Sequence, residues 1–115
     1  MEGNTTLTEE KLSEVTIDLG VVRKKQLNES WLSMFGNWVK WLLRGMFNNN
    51  PPATKVIGTR SEIDSFMKAL GREKDYITIA SKYGLNDPRT YKSKAKIEKA
   101  AREFNSKTGL KWPFR

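Results

Sequence analysis

The sequence predicts an α+β, mainly helical fold: one long aromatic helix, a short two-stranded element and a C-terminal three-helix segment. Three observations carry that expectation. Val15-Thr16-Ile17-Asp18-Leu19 alternates apolar and polar residues at period two, the pattern of a strand with one buried face. Eleven of the 17 residues from Trp31 to Phe47 are apolar, at helical spacing. Beyond residue 60, caps, helical apolar runs and terminal glycines follow one another in order. At 115 residues the parts make up one compact domain. It reads as a polar N-terminal segment 1–14, a strand plus long aromatic helix 15–50, and a linker 51–54. A second strand and a helical segment, 55–115, end in a basic helix and a docking tail.

Within the polar start, Thr8-Glu9-Glu10-Lys11 opens a short helical turn. The strand at Val15–Leu19 extends through Gly20-Val21-Val22 up to the basic run Arg23-Lys24-Lys25. Asn28-Glu29-Ser30 then caps the aromatic helix, because side-chain oxygens accept the orphan N–H groups of a first turn. Ser33, Asn37, Lys40 and Arg44 form its narrow polar stripe. A stripe so narrow implies that the helix is covered on most sides. Asn48-Asn49-Asn50-Pro51-Pro52 ends it, since proline cannot continue the ladder. Lys55–Thr59 is the second strand, able to pair with the first in either orientation.

Three helices follow. Ser61 serves as the first N-cap, Ile63, Phe66, Met67 and Leu70 recur at i, i+3, i+4 and i+7, and Gly71 supplies a left-handed stop. The next runs from Arg72 to Tyr83 with Tyr76, Ile77, Ile79, Ala80 and Tyr83 inward, and ends at Gly84. Pro88, after Asn86-Asp87, opens the last, which turns Ile97, Ala100, Ala101 and Phe104 to one face and closes at Gly109. The tail Leu110–Arg115 is aromatic and expected to dock.

Composition removes whole classes of chemistry. The chain has no Cys and no His, hence no disulfide, thiolate ligand, imidazole ligand or imidazole base. Glu62 with Asp64, and Glu73 with Asp75, stand at i and i+2 and point apart on a helix, so they read as helix-start acids. Gly45, Gly58 and Gly71 stand singly, with no phosphate-binding loop. The expectation is a binding protein, not an enzyme, with no cofactor and no metal. The start lacks the basic and apolar runs of a signal peptide, and no apolar stretch is long enough to span a bilayer. Synthesis in a cytoplasm is therefore expected.

The net charge of +8 is unevenly placed. Residues 1–30 carry −2, residues 31–60 carry +4, residues 61–88 carry −1 and residues 89–115 carry +7. On the last helix Lys92, Lys96 and Lys99 share the face opposite Phe104. Glu98 is flanked by Lys94 and Arg102, and Glu103 by Lys99 and Lys107. Arg89, Lys92, Lys96, Lys99, Lys107, Lys111 and Arg115 are thus the candidate contacts to nucleic-acid phosphates or to an acidic protein surface. The plainest reading of such a face is solvation alone.

The aromatic helix admits three readings: the core helix of a small domain, an assembly interface, or a membrane-surface helix over residues 31–47. The last lacks the dense cations expected on anionic lipid. As an interface, toward other subunits or copies of the chain itself, its residues are Trp31, Phe35, Trp38, Trp41, Leu42 and Met46, with Trp112 and Phe114 of the tail. A degenerate helix-turn-helix near residues 72–105 is a further reading. Ala80 and Gly84 have its spacing, whereas Thr90 and Ser93 stand where it requires apolar residues.

Val15-Thr16-Ile17-Asp18-Leu19-Gly20-Val21-Val22-Arg23-Lys24-Lys25-Gln26-Leu27-Asn28-Glu29-Ser30 and the closing Thr108-Gly109-Leu110-Lys111-Trp112-Pro113-Phe114 resemble small proteins of tailed bacteriophages. The resemblance implies a phage origin and a place in the virion, and it brings no site residue with it. The leading expectation is a non-enzymatic structural or accessory virion protein that binds neighbouring subunits. A small basic DNA-binding protein and a membrane-surface factor are the alternatives.

Overall fold

The computed structural model describes residues 14–25, 28–50 and 53–114; the expected turn at Thr8–Lys11, Pro51 and Pro52 of the linker, and Arg115 lie outside the described residues. Its elements are β1 (Glu14–Asp18), α1 (Leu19–Lys25), α2 (Glu29–Phe47), β2 (Ala53–Ile57), α3 (Arg60–Tyr83) and α4 (Pro88–Thr108). The fold is α+β and mainly helical.

β1 stops at Asp18 because the Asp18 carboxylate accepts from the backbone N–H groups of Gly20 (3.0 Å) and Val21 (3.2 Å). That is an N-cap, so Gly20-Val21-Val22 coils into α1 instead of extending the strand as expected. Leu19 and Val22, one turn apart, become its buried residues. β2 begins two residues earlier than expected and pairs parallel with β1, from Glu14 opposite Ala53 to Asp18 opposite Ile57. A parallel pair needs a long crossover, and α1 and α2 supply it. Among the described residues, only one face is covered: Ile17 is buried, Val56 is half-buried, and the rest of β2 is exposed.

The largest departure from expectation is α3. It runs unbroken for 24 residues, so the C-terminal half holds two long helices and not three. Gly71 lies inside it with open space around it instead of ending it. The N-cap is Thr59, not Ser61. Thr59 Oγ1 accepts from the Glu62 N–H (3.1 Å) and Glu62 Oε1 accepts from the Thr59 N–H (2.8 Å), a reciprocal capping box. This box draws Thr59 out of the expected second strand. Two inward assignments also fail, since Met67 and Tyr83 are exposed.

α3 and α4 lie side by side and antiparallel. Thr90 Oγ1 donates to the Gly84 carbonyl beside the turn (2.6 Å), while Lys68 meets Glu103 (3.2 Å) and Phe66 meets Phe104 (5.9 Å between centroids) several turns away. Contacts that persist over this length make a helical hairpin, not the steep crossing of a helix-turn-helix. Gly84 (φ 89°) ends α3, Asp87 caps α4 ahead of Pro88, and Gly109 (φ 76°) closes α4. Both glycines occupy the left-handed half of φ space, where a Cβ is strained.

Four aromatic rings join the helices. Phe35 of α2 lies 6.3 Å from both Phe66 of α3 and Phe104 of α4. Trp112 of the tail completes the cluster, 5.4 Å from Phe104 and 5.9 Å from Phe66. The tail does dock. No described helix is long and apolar enough to cross a membrane.

Candidate interaction surface

Packing sorts the aromatic helix into an inner and an outer face. Phe35, Val39, Leu42 and Leu43 of α2 are buried in the core. Phe35, Leu42 and, from the tail, Trp112 were expected at an interface; they are core residues instead, because the hairpin and tail close over that side of α2. Trp38, Trp41, Met46 and Phe114 are half-buried, their inner edges packed on the core. Trp31 is half-buried as well.

The outer face is less covered than a chain of this apolarity leads one to expect. Leu32 is 39% exposed and Met34 41% exposed. The polar stripe Ser33, Asn37 and Lys40 forms a ridge between two shallow depressions. Met34, Trp38 and Trp41 line one of them, with Glu29 and Arg44 at its ends. The other lies between α2 and the tail, where Leu32, Pro113 and Phe114 meet. The tail packs close to α2 here: a Cβ at Gly36 would stand in ordinary contact, 3.5 Å from the Pro113 side chain. Exposed apolar groups beside a polar ridge suit a partner that brings both kinds of surface.

Among the described residues, the basic candidates do not assemble into one patch. Lys92, Lys96 and Lys99 are exposed and follow one stripe of α4, about 10 Å long at 1.5 Å per residue. Lys107 instead lies near Arg60, Asp64 and Lys68 at the start of α3. Lys111 belongs with Lys40, beside the tail. Arg89 is engaged locally. Its guanidinium donates to both Asp87 oxygens (2.9 and 3.0 Å) and stacks 3.4 Å from the centroid of the Tyr83 ring. These bonds hold the Asp87 carboxyl down at about 2 and raise the Arg89 guanidinium above its ordinary value. Glu103 reaches across the hairpin to Lys68, not along its own helix to Lys99 or Lys107.

Two carboxylates read as helix-start acids prove to join distant elements. Glu62 closes its capping box and also accepts from Arg23 Nη1 (2.6 Å), which donates again to the Thr108 carbonyl (3.0 Å). One guanidinium thus ties α1 to the start of α3 and the end of α4, where the helix dipole favours a cation. The Thr59 N–H, then the Arg23 guanidinium, hold the Glu62 carboxyl below its ordinary value. Glu73, buried in mid-helix, accepts from the Trp112 indole N–H (2.9 Å). The sequence offered one signal for the first of these: Thr59-Arg60-Ser61-Glu62 spells the capping box. For Glu73 it offered none, because the supposed stop at Gly71 placed that residue in a first turn.

Among the described residues, no group of three or more acidic side chains is arranged to hold a metal ion. No protein-family model matches the chain, and neither curated proteins nor solved structures provide a match.

Proposed function

We propose that this chain is a non-enzymatic structural or accessory protein of a phage particle, binding neighbouring subunits through the outer face of α2. The observation that carries the reading is the partly exposed Met34–Trp38–Trp41 depression beside the Ser33–Asn37–Lys40 ridge. A small chain gains by covering such a face, at roughly 25 cal/mol for each Å² of apolar surface removed from water. The inner face anchors α2 to the aromatic core, so the outer face meets a partner without refolding. The phage setting rests on the resemblance of residues 15–30 and 108–114.

In the same reading, the Lys92–Lys96–Lys99 stripe faces an acidic protein surface or packaged nucleic acid. It points away from the residues that bury α4, which leaves those ammonium groups available to a second contact. The test is quantitative mass spectrometry of intact, salt-washed particles. Fixed stoichiometry of this chain to the other particle proteins is the expected result. Absence from the particles, with the chain free in the infected cell, would overturn the proposal.

A further inference from the structure

We infer that the outer face of α2 pairs with the same face of a second copy, antiparallel, in a two-fold dimer. The inference rests on reading that face as an assembly surface and commits it to one occupant. The face is self-complementary. The face carries its acid, Glu29, at the N-terminal end and Lys40 and Arg44 toward the C-terminal end. It also carries a small residue, Ser30, at one end and a large one, Trp41, at the other.

An antiparallel pair whose axis passes between Met34 and Asn37 satisfies both gradients at once. Trp41 lies against the partner's Ser30, and Met34 beside the partner's Trp38, a contact that suits a thioether. Lys40 comes within one helical turn of the partner's Glu29. A parallel pair fails on the same residues. It would set Glu29 beside the partner's Glu29 and Lys40 beside the partner's Lys40, at the cost of like-charge repulsion. The two-fold arrangement is isologous, so it closes at two copies and leaves no open end. Asn37, near the axis, is placed where a polar side chain fixes the register of a helix pair.

Sedimentation velocity on the full chain at about 50 μM tests this, since micromolar affinity suffices to populate the dimer there. A dimer is expected. Lys40→Glu should weaken it at least about tenfold by facing acid with acid, with far-UV circular dichroism unchanged. Glu29→Lys combined with Lys40→Glu should recover part of it, because opposite charges again face each other at 29 and 40 while Arg44 keeps its sign. A wild-type monomer would overturn the inference, as would a dimer indifferent to both variants. A photocrosslink from position 37 into residues 1–13 of the same chain would also overturn it, by naming a different occupant. A monomer that still enters particles at fixed stoichiometry defeats the dimer and spares the assembly reading. A dimer absent from particles does the reverse.

Discussion

The indole N–H of Trp112 donates to the Glu73 carboxylate at 2.9 Å, tying the chain's last aromatic segment to the middle of α3, 39 residues away. Around this bond the Phe66 and Phe104 rings close to 5.9 and 5.4 Å from the Trp112 ring. The tail is therefore part of the core and not an arm reaching for a neighbour. Trp112→Ala is expected to cost about 3–5 kcal/mol, the range for deleting a buried large aromatic. Trp112→Phe should cost less, about 1–3 kcal/mol, by keeping a smaller aromatic ring in place and removing one donor from a buried acceptor. Urea denaturation of the two variants checks the order. Equal stability of wild type and Trp112→Ala would place the tail outside the core.

Acid should loosen the Arg23 junction before the aromatic core. The Glu62 and Asp87 carboxyls are both held below their ordinary values in the fold, Asp87 at about 2. In the unfolded chain each binds its proton at a higher pH, so stability from these groups is present above about pH 4.5. It is lost as pH falls through their folded values. Melting temperatures between pH 7 and pH 2 should decline below about pH 4.5. Glu62→Gln should flatten that decline while lowering stability at pH 7. An acid slope unchanged by Glu62→Gln would remove the junction from the account.

Two glycines should respond oppositely to alanine. Gly71 lies within α3 with nothing within 4 Å of the place an alanine methyl would take, so Gly71→Ala should stabilise by about 0.5–1 kcal/mol through helix propensity. Gly109 has φ 76°, and a Cβ there would stand 3.4 Å from the Arg23 side chain. Gly109→Ala should destabilise by about 1–2 kcal/mol. Thermal unfolding of the pair measures both signs, and a loss at Gly71 would speak against one continuous α3.

These glycines also show where the sequence was legible. Local grammar placed α2, the α4 cap and stop, and the apolar face of Ile97, Ala100, Ala101 and Phe104, because caps and periodicity act within a turn or two. Gly71 misled because glycine marks a stop only where the chain takes positive φ. That choice was made by the hairpin, whose α4 partner keeps α3 helical through the glycine. The Thr59 capping box was written in the residues and outweighed by the apparent strand. The faces of α2 were legible only in part: the Ser33, Asn37, Lys40 stripe marked the outer side, and the sequence left open how far the apolar residues beside it are covered. Phe35 and Leu42 look like Trp38 and Trp41 in sequence, and only tertiary packing separates them.

The α4 stripe should behave as a short electrostatic contact. Any duplex DNA binding is expected to be indifferent to sequence. The logarithm of its affinity should fall against the logarithm of salt concentration with a slope of about −3, for three phosphates neutralised. Lys92→Glu, Lys96→Glu and Lys99→Glu together should abolish that binding. Filter binding across a salt series is the check. Binding that survives the triple substitution would remove the stripe as a contact surface.

The central claim is that protein covers the outer face of α2 in the assembled state. A photoreactive residue at Asn37, irradiated in intact particles and mapped by mass spectrometry, tests it most directly. Crosslinks to a particle subunit, a second copy of this chain included, are the expected result. Crosslinks confined to nucleic acid, to lipid or to solvent adducts would contradict it.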